Sequence, residues 1–177
     1  MILEKGIREF VDAARILKER GVLATFQIAG TPDLGNPTAI SSDELDDWRR
    51  EGAVDLLGHV DNIEDIISQA AIVTLPSYRE GTPRILLEAA AMGKPIVTTD
   101  VPGCREVVDH EENGFLVPAK DPLALANAIE ILLNDPQLQA RMGKKGLEKI
   151  RRDFDDQDVA LRTIEVYNLR RESAQVS

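Results

Sequence analysis

Short apolar, β-prone runs alternate with longer stretches of helical periodicity along this chain, and that alternation narrows the possible folds more than any other feature. A strand that feeds a helix and then a second strand returns parallel to the first, so the pattern selects a parallel sheet with helices packed on its faces. Ile7, Phe10, Val11, Ala14 and Leu17 share one helical face within residues 5–20, and Gly21 supplies the stop. Strands are expected at 22–29, 54–57, 71–75, 96–98 and 114–117. The 71–75 run is almost continuously apolar, as suits a strand buried on both faces. Between them, Ser42 or Asp43 is expected to cap a helix through Arg50. Ile63, Ile66 and Ile67 make a short amphipathic helix, residues 84–92 a further one, and Gly103 opens another.

Everything after Asp121 reads as helical. Asp121 and Pro122 form an N-cap and first-turn pair, and Leu125, Ile129, Leu132 and Leu133 line one face. Pro136 restarts a helix through Arg152, and Asp155 or Asp156 caps a last one carrying Ala160, Ile164 and Tyr167. The expectation is one α/β domain over 1–177, with 121–177 a helical C-terminal extension. The helix at 5–20 has no strand before it, so the first strand is expected to be missing or supplied from upstream.

Composition excludes several classes. The net charge of −10 repels polyanions at long range and argues against nucleic acid as the main partner. A small phosphorylated ligand remains compatible, because a helix terminus and one Lys can outweigh the global field locally. The single cysteine, Cys104, excludes an internal disulfide and fits a packed residue in a reducing compartment. No run is long and apolar enough to span a bilayer, and the expected location is cytoplasmic. G-x-G-x-x-G and P-loop spacings are absent, which disfavours a dehydrogenase or NTPase.

Open parallel sheets place ligands at the carboxyl ends of their strands. The most informative such loop is Pro76-Ser-Tyr-Arg-Glu-Gly-Thr-Pro83. Gly81 permits close backbone approach, Thr82 is placed to cap, and Pro83 suits a first helical turn, so the helix start is an anion site suited to a diphosphate. Glu80 lies in this loop, and Glu88 lies two turns into an otherwise apolar helix. A carboxylate there needs a partner. Either a ribose diol or Arg84, one turn earlier, meets that need. Asp153-Phe-Asp155 and Asp156-Gln-Asp158 spell D-x-D, but at a helix start capping is the simpler reading, and no metal site is expected. The basic pairs Lys144–Lys145, Arg151–Arg152 and Arg170–Arg171 read as solvated faces, with peripheral contact to anionic lipid as the alternative.

The run Glu80-Gly-Thr-Pro-Arg-Ile-Leu-Leu-Glu88-Ala resembles the E-x7-E motif of family 4 retaining glycosyltransferases. The resemblance continues through Gly93-Lys-Pro-Ile-Val-Thr-Thr99, Gly103-Cys-Arg-Glu-Val-Val108 and Asn113-Gly-Phe-Leu-Val117. It implies a Rossmann-like parallel sheet, the C-terminal, nucleotide-sugar-binding half of a GT-B enzyme, with the N-terminal acceptor domain absent. By the same resemblance, Glu80 would bind hydroxyls of the donor sugar and Glu88 the ribose. Gly81, Thr82 and Pro83 would lie beside the diphosphate and sugar. Lys5 would offset charge on the leaving nucleoside diphosphate, and Val60, after Gly58-His59, would lie against the base. His59 itself reads as a loop histidine. The family's Arg, five residues before the matching Lys, would fall before Met1.

The implied donor is a nucleoside diphosphate sugar, a UDP-sugar first, with no cofactor. The implied acceptor is a saccharide or lipid-linked saccharide of bacterial surface-polysaccharide or glycolipid assembly, reached through the missing domain. A UDP-sugar 2-epimerase of the same fold, or a non-catalytic nucleotide-binding fragment, are the rival readings. On the first reading the parent protein is the enzyme, and this chain is expected to be inactive alone.

Overall fold

A computed structural model of the chain describes residues 1–33 and 35–154. A 3-10 turn, Leu3–Lys5, leads into α1 (Ile7–Glu19), and β1 (Gln27–Ala29) follows. Then come α2 (Ser42–Glu51), β2 (Asp55–Gly58), α3 (Ile63–Gln69), β3 (Val73–Leu75), α4 (Arg84–Ala91) and β4 (Ile96–Thr99). The rest is α5 (Pro102–Val107), β5 (Gly114–Val117), α6 (Pro122–Asn134) and α7 (Pro136–Asp153). The three pairings between these strands are all parallel, as the alternation requires. The last expected helix, the second D-x-D and Arg170–Arg171 lie outside the described residues.

The strands form two leaves, β1 with β2 and β3-β4-β5 in that order. β4 is the central strand of its leaf, and all four of its residues are buried. Its side chains alternate, so Val97 joins one core while Ile96 joins the other. The first core gathers Val11, Ala14 and Leu17 of α1 with Leu125, Ile129 and Leu132 of α6, and it also takes in Ile28 of β1 and Phe115 of β5. It therefore runs beneath both leaves. The second core packs α4, α5 and Ile150 of α7 on the opposite face.

Two strand expectations are corrected. β3 is only half-buried along Val73–Leu75, because among the described residues it pairs with β4 alone and is an edge strand of its leaf. β1 is limited to Gln27–Ala29, since β2 meets it only there; Val22 is still tied to the Leu17 carbonyl and Leu23 is fully exposed. At the helix ends, Ser41 rather than Ser42 caps α2, in a reciprocal capping box with Glu44. Asp121 and Asp135 accept backbone N–H bonds from Ala124 and Leu138, starting α6 and α7 where the sequence places them.

Candidate functional site

Parallel pairing brings the strand carboxyl ends of each leaf to one edge, and the expected site residues other than Lys5 lie in the loops and helices that follow. Lys5 ends the 3-10 turn, and its Nζ donates to Glu80 Oε1 at 2.6 Å. These residues, far apart in sequence, are thus an ion pair whose carboxylate side is 11% exposed. The contact depends on backbone packing nearby. Gly6 has a φ of 68°, and a Cβ there would lie 2.0 Å from the Pro76 carbonyl oxygen. Tyr78 adds two straps, its N–H donating to the Glu4 carbonyl at 2.8 Å and its hydroxyl to Glu9 Oε1 at 2.6 Å. Burial, followed by the bond to Glu9, pushes the Tyr78 hydroxyl up to about 12. Lys120 sits over its ring, 4.8 Å from the centroid.

The other side of the Glu80 loop is held by β4 and α5. Thr98 Oγ1 donates to the Leu75 carbonyl at 2.7 Å, and Thr99 Oγ1 donates to that of Ser77. The first turn of α5 meets the loop backbone to backbone, since a Cβ on Gly103 would lie 1.6 Å from the Gly81 carbonyl oxygen. The Thr82 hydroxyl donates to Glu106 of α5. That corrects the expectation that Thr82 caps α4: the helix begins after Pro83 with no side-chain cap, and Thr82 bonds to α5 instead.

Glu88 lies in α4, surrounded by the buried residues Leu86, Leu87, Ala89 and Ala90, and is itself 9% exposed. It forms no ion pair or hydrogen bond with any described residue, so the Arg84–Glu88 bridge allowed by spacing does not form. Burial pushes its carboxyl up from the ordinary range; the Glu64 charge adds to this, and Arg84 opposes it. Glu64 belongs to the first turn of α3, just beyond Val60. Val60 is half-buried in the loop after β2, and the exposed His59 approaches Asp61 at 3.2 Å. Gly81 and Thr82 are exposed, and Pro83 is buried.

The structure thus joins Lys5, Glu80, Gly81 and Thr82 in one constellation, and sets Glu88 within the electrostatic reach of α3, which follows the Val60 loop. Sequence reading gave Gly103 only a helix start and quoted Glu106 in a motif without a role, and it passed over Glu64. Cys104 is fully buried, with Thr98 Oγ1 at 3.1 Å from its sulfur, as a packed residue should be. Of the basic residues read as solvated, Lys144, Lys145, Arg151 and Arg152 are exposed; Lys149, between them, is buried and donates to Asp109 at 2.7 Å. Among the described residues, no three His, Cys, Asp or Glu side chains group as metal ligands.

A helix-flanked parallel sheet with its candidate site at the strand carboxyl ends is an architecture that GT-B glycosyltransferase halves share with other open α/β folds. The profile described as "Glycosyl transferases group 1" matches residues 1–135, and the chain belongs to that family. It is 33% identical over 164 residues to the N,N'-diacetylbacillosaminyl-diphospho-undecaprenol alpha-1,3-N-acetylgalactosaminyltransferase of Campylobacter jejuni, covering 93% of this chain and 41% of that one. To the capsular polysaccharide biosynthesis glycosyltransferase CapM of Staphylococcus aureus it is 28% identical, covering 95% of this chain and 44% of the other. Among solved structures, Anabaena HepE in complex with UDP superposes with a TM-score of 0.74 at 25% identity, covering 96% of this chain and 46% of that one. The chain thus spans less than half the length of these proteins.

Proposed function

We propose that residues 1–177 form the nucleotide-sugar-binding domain of a retaining glycosyltransferase. The parent enzyme moves a sugar from a nucleoside diphosphate sugar, a UDP-sugar first, to an acceptor hydroxyl. The observation that carries this reading is Glu88, a buried carboxylate with no partner among the described residues, eight positions after a Glu80 held beside Lys5. A ribose diol offers two adjacent donors to such a carboxylate and offsets the cost of its burial.

In this reading Glu88 accepts from the ribose hydroxyls, Val60 presents backbone to the base, and Glu80 orients the donor sugar. Lys5 and the uncapped start of α4 carry the diphosphate along Gly81, Thr82 and Pro83. When the bond to the sugar breaks, negative charge grows on the leaving diphosphate, and these groups supply the field that stabilises it. No metal is called on for that task. The C. jejuni relative is named for transfer to a diphospho-undecaprenol substrate and the S. aureus one for capsular polysaccharide, which supports surface-polysaccharide or glycolipid assembly as the setting. The place of reaction is then the cytoplasm, at the inner face of the plasma membrane. Among the described residues, no helix is long and apolar enough to cross a membrane.

Thermal unfolding with UDP, GDP and ADP tests the assignment. A nucleotide at a hundred times its dissociation constant adds about 2.7 kcal/mol, which raises the midpoint by roughly 5–10 °C. UDP is expected to give this shift and Glu88→Ala to abolish it. A shift that survives Glu88→Ala removes the ribose from α4, and no shift with any of the three removes the nucleotide site from this chain.

A further inference from the structure

The motif holding Gly103 and Glu106 is not used by the proposed chemistry, yet the structure brings both residues against the loop that is. They lie three apart in α5, so they share a face of that helix, and this face meets residues 80–82. Gly103 lets the two backbones touch where any side chain would collide with Gly81 and Glu80. That approach brings the Glu106 carboxylate to the Thr82 hydroxyl.

Thr82 directly precedes Pro83, next to the first turn of α4. The opening N–H groups of a helix lack intrahelical acceptors, and a nearby Thr hydroxyl is among the side chains that satisfy them. In this structure no side chain does so: the Thr82 side chain is turned to α5, where its hydroxyl donates to Glu106, and so it does not offer its acceptor lone pairs to α4. We propose that Glu106 is a positioning residue: by holding Thr82 on α5, it keeps the first-turn amides of α4 open for an anionic ligand. With Glu106 removed, Thr82 turns back and caps the helix, closing the site from within. The ligand's identity as a nucleoside diphosphate rests on the proposed function; the competition for Thr82 does not.

Two measurements on the 177-residue chain decide the matter. In calorimetric titration with UDP, Glu106→Ala is expected to weaken binding about five- to tenfold, the scale of one helix cap. Glu106→Gln, which still offers an oxygen to Thr82, stays within about twofold of the parent. In a Thr82→Val background, which lacks the competing hydroxyl, Glu106→Ala is expected to cost no further affinity, whereas general loosening of the loop would weaken binding there too. In amide hydrogen exchange without ligand, Arg84 and Ile85 become more protected in Glu106→Ala and return to parental rates in the double variant. Unchanged affinity in Glu106→Ala, an equal loss from Glu106→Ala with and without Thr82→Val, or unchanged protection at Arg84 and Ile85 each overturns the proposal. If the parent binds no UDP, the nucleotide reading fails, and the exchange rates still decide the role of Glu106.

Discussion

Gly6→Ala is expected to destabilise the fold by about 3 kcal/mol or more and to part Lys5 from Glu80. Two penalties combine at this position. A left-handed backbone, here with φ 68°, costs an L-residue about 1–2 kcal/mol. The added Cβ would also stand 2.0 Å from the Pro76 carbonyl oxygen and 2.7 Å from its carbon, backbone atoms that cannot rotate aside. Gly52 separates the two effects, because it has φ 66° with nothing within 4 Å of a built Cβ. Gly52→Ala should therefore lose only about 1–2 kcal/mol. Urea unfolding of both variants measures the difference. Equal losses would mean that the 3-10 turn does not press on Pro76, and the geometry given to the Lys5–Glu80 pair would fall with it.

Glu88→Gln is expected to make the protein more stable at neutral pH while nearly eliminating nucleotide binding. Burial and Glu64 raise this carboxyl above its unfolded value, so the folded protein keeps a proton that the unfolded chain has already released. The stabilisation from that proton is complete below the unfolded value and is lost as pH rises through the folded one. As pH rises, the parent must therefore ionise a carboxyl that no described residue partners, within an apolar helix, a burden that glutamine lacks. The melting midpoint of Glu88→Gln should exceed the parent's at pH 7, with the gap closing towards pH 4. A hydrogen bond to a charged group contributes about 1.5–3 kcal/mol, so weakening two to a ribose should cost UDP on the order of a hundredfold in affinity. A variant less stable than the parent at pH 7 would show that the carboxylate is well satisfied in the free protein. Loss of that satisfaction would then explain any effect on binding.

Local signals carried most of the fold. The alternation of helix and strand patterns, and the Asp-Pro pairs that start α6 and α7, needed only near neighbours to be legible. The E-x7-E run likewise led to Glu80 and Glu88. Elsewhere the structure depends on contacts distant in sequence. Val22 to Phe26 carries the composition of a strand, but a strand needs a partner, and β2 begins too late to pair with it. Thr82 looks like a helix cap until Glu106, on another helix, takes its hydroxyl. Spacing permits Arg84 to meet Glu88, yet the pair does not form. Gly103 shows no unusual backbone, so nothing local marks it; only the course of residues 80–81 against α5 explains why a side chain is excluded there.

The interruption between the β1–β2 and β3–β5 leaves has a mechanical consequence. Within each leaf, sliding one strand past another breaks a row of backbone hydrogen bonds. Among the described residues no such row crosses the interruption, and the load passes to the apolar side chains of α1 and α6. Packed side chains slide slightly past one another where a hydrogen-bonded ladder resists, so small shear between these strands is taken up most readily along this line. Val60 lies on one side of it and Glu88 on the other. A ligand that grips both is a rivet through the seam, and its grip is measured in stiffness as well as in affinity.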